Sequence, residues 1–232
     1  KLVKPLSWFM NADDLKKTNK NYKRYLVSRG FALIYVDERG TGASFGEWKY
    51  PWFLKTLEDM YDIVEWLVSQ PWAKPAVGAI GTSYVGTTSE LLACCGHPAV
   101  KAVIPKFNHP DPYVHITMPG GLYNFHFMED WSATDDAFDE GKMPIFYPWL
   151  TKILVKNVKP VDTDKKEEML LLAQKDHENN TNTHSFAHTK TFRDEVDVKH
   201  KICIDDIGIG RYIEDLENNN VAIAGWASWL DA

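Results

Sequence analysis

The stretch of this sequence with the clearest chemistry is AVGAIGTSYVG, residues 76–86. A buried-strand run enters Gly81-Thr82-Ser83, and a helix of small residues and leucines leaves it, from Tyr84 to about Cys95. A serine on a strained strand-to-helix turn has its hydroxyl lifted above the sheet edge, where it can attack a carbonyl. The glycine two residues earlier keeps such a turn free of side-chain clash, and small residues afterwards let the helix pack against the strand. The N–H that follows the serine sits at a helix N-terminus and can stabilise an oxyanion. Ser83 is therefore the candidate nucleophile and the Tyr84 N–H the candidate oxyanion donor. The usual pattern is G-x-S-x-G, whereas here Val85 holds the fifth position and glycine is displaced to Gly86. The rival reading is an incidental Gly-Ser turn; the plain strand before it and helix after it favour the elbow.

Other chemistry-bearing residues offer less. Gly40, Gly42 and Gly46 in DERGTGASFG have the spacing G-x-G-x-x-x-G, and no helix opens directly behind them. A dinucleotide site needs G-x-G-x-x-G opening a helix, so a tight turn at the carboxyl edge of a sheet is the better account. The bulky loop Glu47-Trp48-Lys49-Tyr50-Pro51-Trp52 follows it. Among the eight histidines, His184 and His188 are spaced i, i+4, but the residues between them include no glutamate, unlike a metalloprotease pair. His97 precedes a proline in a turn, while His109 and His115 lie where the chain enters a region of different composition. Triad order in this kind of fold is serine, acid, histidine, which leaves none of the eight in the place of a base. Cys94, Cys95 and Cys203 lack CxxC spacing and read as free thiols, in keeping with a reducing, cytoplasmic setting. No metal site and no cofactor is expected.

The elements that must position Ser83 follow from periodicity. Residues 18–29 have helical spacing closed by Gly30, and FALIYVD, 31–37, reads as a fully buried parallel strand. Residues 54–69 place Leu57, Met60, Tyr61, Val64 and Leu67 on one helix face. Strands follow at 76–82 and 101–105. Alternating strands and helices with short links mean right-handed crossovers and a parallel sheet. The alternation stops after Pro105. Residues 110–218 are aromatic and charged, with helical stretches at 145–156 and 164–176, before VAIAGW, 221–226, returns to a buried-strand pattern. The expected organisation is an α/β core over 1–109, an inserted helical cap over 110–218, and a return to the core over 219–232.

Composition removes several partner classes. The chain has 232 residues, 44% of them hydrophobic and 25% charged, with a formal net charge of −6 and no long run of one sign. Nucleic acid or an anionic membrane would call for a basic face. No run approaches the roughly 18 apolar residues of a membrane span. A small-molecule ester or peptide substrate is the expected partner. The first residues show no signal-peptide core, and both ends read as interruptions of a longer α/β-hydrolase, a doubly wound parallel sheet truncated on each side.

FALIYVDERGTGASFGEW, EDMYDIVEWLVSQPW, GTSYVG and HPAVKAVIP together resemble the cocaine esterase and X-Pro dipeptidyl-peptidase family of α/β-hydrolases. The resemblance is dense over 22–121, looser across 122–220, and resumes over 221–231. That family writes its elbow G-x-S-Y-x-G, which accommodates Val85 and carries the nucleophile role onto Ser83 and the oxyanion role onto the Tyr84 N–H. Its acid lies in a G-W-x-D-type turn after a late strand. Aligning Gly225-Trp226 literally places Ser228 there and leaves no acid; aligning Trp229-Leu230-Asp231 supplies Asp231, which is the preferred assignment because a carboxylate must orient the histidine. The resemblance implies a catalytic histidine beyond Asp231, outside this sequence, and a second oxyanion donor, a tyrosine, upstream of it. The expected activity is ester or amide hydrolysis, X-Pro peptides included, through an acyl-enzyme. The rival is a non-catalytic binding protein of the same fold, which the Ser228 alignment would favour.

Overall fold

The computed structural model describes residues 22–140, 142 and 158–229. The helical stretch expected at 145–156 and Asp231 lie outside the described residues. The chain divides into two compact units, one ending at Asp37 and the other beginning at Glu38.

In the first unit, helix α1 covers 22–28. The Phe31 N–H donates to the Leu26 carbonyl and the Gly30 N–H to that of Val27, with Gly30 at φ 86°. Those paired bonds around a left-handed glycine are a Schellman closure, as the position of Gly30 predicts. Residues 31–37 depart from expectation. They form no ladder among the described residues, and Phe31 and Tyr35 are 60% and 71% exposed. An apolar run records a capacity for burial, but a strand also needs a neighbour to satisfy its backbone groups.

The second unit opens with an irregular segment and then α2 (Leu54–Val68), β1 (Val77–Thr82), α3 (Tyr84–Cys94) and β2 (Val100–Lys106). On α2, Thr56, Leu57, Met60, Val64 and Leu67 are buried. Tyr61, expected on the same face, sits at its edge against the His97 ring, 4.8 Å between centroids. Beyond β2 come a π-helical turn (Tyr113–Thr117), α4 (Phe125–Asp139), α5 (Glu168–His177), α6 (Thr183–Ala187), α7 (Ile213–Asn218) and finally β3 (Ala222–Ile223). Among the described residues no helix is long and apolar enough to cross a membrane.

The sheet order is β1-β2-β3, all parallel. Gly81 lies opposite Pro105 and Thr82 opposite Lys106, so β1 and β2 end level. β3 is shorter than its apolar run, yet Trp226 still bridges to Lys106 and its N–H donates to the Pro105 carbonyl at 3.0 Å. The main core brings Trp48, Tyr50, Trp52 and Phe53 together with Leu57 and Met60 of α2, Leu91 of α3, Met128 of α4 and Phe186 of α6. A second cluster, including Val64, Ala93, Val100 and Val103, fills the space between helices and sheet. The loop at 47–53, bulky in sequence, is therefore a main contributor to the core.

Candidate active site

Ser83 stands between the last residue of β1 and the first of α3, with φ 60° and ψ −124°. A left-handed φ is costly for a residue with a Cβ and persists only where the surroundings impose it. Here the Ser83 N–H donates to the Lys106 carbonyl at 2.9 Å, and the Ser83 carbonyl accepts from the Thr87 N–H at 3.1 Å. The turn is thus tied to the end of β2 on one side and to α3 on the other. Tyr84 opens α3, and the first N–H groups of a helix have no partner within it, so its N–H belongs to a set suited to an anion.

Two glycines show why the elbow has its particular spacing. A Cβ on Gly81 would lie 2.1 Å from the Val85 carbonyl oxygen, and one on Gly86 would lie 2.5 Å from that of Lys106. Val85 itself is 54% exposed. The helix therefore meets β2 at Gly86 rather than at Val85, which is the physical reason glycine is displaced by one position.

The Tyr84 side chain is anchored behind the turn. Its hydroxyl donates to Glu38 Oε2 at 2.8 Å, and the Thr56 hydroxyl donates to Glu38 Oε1 at 2.8 Å. Trp52 stacks on the Tyr84 ring at 4.7 Å, and its Nε1–H donates to the Tyr84 carbonyl at 3.3 Å. Burial first, then the neighbouring Glu38 charge, pushes the Tyr84 phenol well above its usual pKa, so it remains a neutral donor. Burial also raises the Glu38 carboxyl, against the opposing pull of its hydrogen bonds from Tyr84 and Thr56.

Chain order gave no reason to join a histidine to Ser83, but the structure does so. His109 Nε2 lies 3.4 Å from Ser83 Oγ. Its backbone N–H donates to Thr87 Oγ1 at 2.9 Å, fixing the segment after β2 against the first turn of α3. A cavity of about 330 Å³ opens at this point, lined by Ser83, Tyr84, His109 and Trp52 together with Ile116, Phe127, Asp130, Trp131 and Thr134. Trp131 is thus a pocket residue. Tyr113, outside the lining, donates its hydroxyl to the Thr191 carbonyl at 2.8 Å and lies beneath Arg193.

The remaining candidates have other surroundings. His184 and His188 stack at 5.1 Å, and His184 Nδ1 is 3.0 Å from the Tyr123 hydroxyl. Among the described residues no group of three His, Cys, Asp or Glu side chains stands together that could hold a metal ion. All three cysteines are free, and burial pushes the Cys94 thiol up to about 12. Asp205 and Asp206 pair with Arg193 and Arg211.

A serine at a left-handed turn between a parallel strand and a helix, beside a cavity and at the carboxyl edge of the sheet, defines an α/β-hydrolase elbow. Residues 2–202 match the family described as X-Pro dipeptidyl-peptidase (S15 family), and the chain belongs to it. Two curated mycobacterial proteins are each 32% identical over 231 aligned positions, covering 92% of this chain: "Putative serine esterase Mb1866c" of Mycobacterium bovis and "Putative serine esterase MT1883" of Mycobacterium tuberculosis. The chain spans 37% of the length of these relatives. Among solved structures, a CocE/NonD family hydrolase from Staphylococcus aureus superposes with a TM-score of 0.46 at 20% identity, covering 73% of this chain and 24% of that one. An aminopeptidase from the marine sediment archaeon Thaumarchaeota archaeon gives a TM-score of 0.36 at 19% identity, over 74% and 26% of the two chains.

Proposed function

We propose that this chain carries the nucleophile of a serine hydrolase that cleaves ester or amide bonds, X-Pro peptides among them, through an acyl-enzyme on Ser83. The observation that carries this reading is the strained placement of Ser83 at the cavity, with φ 60° at the start of α3. Ser83 Oγ attacks the substrate carbonyl, an imidazole takes its proton, and the Tyr84 N–H stabilises the oxyanion that develops. Asp231 is the carboxylate proposed to orient that imidazole, on the strength of the W-x-D spacing of Trp229, Leu230 and Asp231 in the sequence. The mechanism draws on no metal or organic cofactor, and the cavity's apolar wall of Ile116, Phe127 and Trp131 suits the acyl portion of a small substrate.

Covalent labelling by a fluorophosphonate tests the reading, because such probes report an activated serine. The adduct is expected on the peptide containing Ser83, and Ser83→Ala should abolish both labelling and p-nitrophenyl acetate hydrolysis. Absence of labelling in the wild-type protein would favour a non-catalytic binding protein with this fold.

A further inference from the structure

We propose that Glu38 is a positioning residue of this site, holding the oxyanion-binding Tyr84 N–H in place by gripping the far end of the Tyr84 side chain. The proposal rests on the reading of Ser83 as nucleophile and of the Tyr84 N–H as oxyanion donor. Such a donor works only at roughly 2.7–3.1 Å from the place where the oxyanion forms, so small displacements of its backbone are felt in the rate.

Tyr84 lines the cavity and is restrained at its hydroxyl, its ring and its carbonyl. The hydroxyl donates to Glu38 Oε2 at 2.8 Å, and the ring stacks on Trp52 at 4.7 Å. The carbonyl accepts from Trp52 Nε1–H at 3.3 Å and from the Thr88 hydroxyl at 3.0 Å. The N–H shares its Cα with these restraints, so it cannot turn without straining them. Glu38 supplies the one at the ring's outer end, where leverage on the Cα is greatest.

Glu38 is itself fixed. Its carbonyl accepts from the Thr41 N–H at 3.0 Å and from the Thr41 hydroxyl at 2.8 Å. The next residue, Arg39, donates to both carboxylate oxygens of Asp59 on α2, at 2.8 and 2.5 Å. Thr56 of the same helix donates to Glu38 Oε1 at 2.8 Å. The carboxyl group is thus carried by a tight turn and by α2, and it passes that rigidity to the residue after the nucleophile. Burial raises its pKa, and apolar side chains would fill the same space without burying a polar group. What its hydrogen bonds add is direction, and the side chain they direct is that of Tyr84.

The test uses the complete protein as wild type, Ser83→Ala, Glu38→Ala, Glu38→Gln, Tyr84→Phe and the double variant Glu38→Ala/Tyr84→Phe, with thermal unfolding as the check on folding. Two readouts are taken: p-nitrophenyl acetate kinetics and affinity for an octyl trifluoromethyl ketone. Ser83 Oγ adds to the carbonyl carbon of that ketone, the serine proton passes to the imidazole, and the carbonyl oxygen becomes an oxyanion. Losing a whole oxyanion donor costs about 10²–10³-fold, so displacing one should cost part of that. Glu38→Ala and Tyr84→Phe should each lower kcat and kcat/KM together by roughly 5–50-fold, leave KM within about twofold, and weaken ketone binding by a similar factor. Glu38→Gln, which keeps an acceptor oxygen, should recover most of the rate, and the double variant should be no slower than either single one. If Glu38→Ala does not fold, Tyr84→Phe and Glu38→Gln carry the same comparison. Wild-type kcat in the folded Glu38 and Tyr84 variants, with Ser83→Ala inactive, would overturn the role of Glu38 and leave the Ser83 reading standing. Slower turnover with unchanged ketone affinity, or effects that multiply in the double variant, would equally overturn it. A wild type that neither turns over the ester nor binds the ketone would overturn the nucleophile reading and this inference with it.

Discussion

Glu38 receives the Tyr84 hydroxyl on one carboxylate oxygen and the Thr56 hydroxyl on the other, so a single side chain ties α2 to the start of α3. Removing it leaves two hydroxyls without their acceptor in a region poor in water, at about 1–3 kcal/mol each. Glu38→Ala should therefore lower the unfolding free energy by about 2–4 kcal/mol. Glu38→Gln retains one acceptor oxygen, and a hydroxyl can accept as well as donate, so its loss should stay below about 1.5 kcal/mol. Urea denaturation of the two variants checks this; equal losses would mean that the one acceptor oxygen kept by glutamine does not replace the carboxylate. The elbow itself was legible because Gly81, Ser83 and Gly86 answer to local backbone sterics that sequence spacing records. The approach of His109 was not, since proximity across 26 residues is a product of where β2 ends.

At the scale of elements, the irregular segment before α2 is held by the end of α5 and the residues after it. The Gly46 N–H donates to Asp176 at 3.0 Å, and His177 Nε2 lies 2.8 Å from the Ser44 carbonyl. Asn180 accepts the Trp48 N–H at 2.6 Å and donates to the Gly40 carbonyl at 2.8 Å and to Asp139 at 2.7 Å. Trp48 is buried, so Asn180→Ala would leave its N–H without a partner out of reach of water. That substitution should cost about 2–3 kcal/mol, read as a lower urea midpoint with unchanged slope. A loss under about 0.5 kcal/mol would mean that water or a shifted backbone replaces all three bonds. The sequence located α2, β1, α3 and β2 within a residue or two, α2 by its repeating buried face, the strands by short apolar runs and α3 by the small residues and leucines after the turn. It missed the role of residues 47–53, whose aromatic side chains enter the core from a loop with no period at all. It also took 31–37 for a strand, since a run of apolar residues does not identify the partner that a ladder requires.

For the whole molecule, the stability curve with pH should carry the mark of one helix. Asp135, Asp136 and Asp139 share α4, and Asp135 Oδ2 is buried with no hydrogen-bond partner. Burial first, then the charges of Asp139 and Asp136, raises the Asp135 pKa to about 7. Asp139 is itself bound by Asn180 and Asp136 by Asn182, so neither turns to relieve Asp135. Below about pH 4 Asp135 is protonated in both the folded and the unfolded chain. Between about 4 and 7 the folded state keeps a proton that the unfolded state has released, and stability falls as pH rises through that window. Above about 7 the folded chain holds an ionised, poorly solvated carboxylate, a penalty on the order of 4 kcal/mol. Asp135→Asn cannot ionise. Its unfolding free energy should match wild type near pH 4, decline less between 4 and 7, and exceed wild type by roughly 2–4 kcal/mol at pH 8. Urea midpoints taken at unit steps from pH 4 to 8 on both proteins decide the matter, and parallel curves would show that Asp135 titrates near the ordinary carboxylate range.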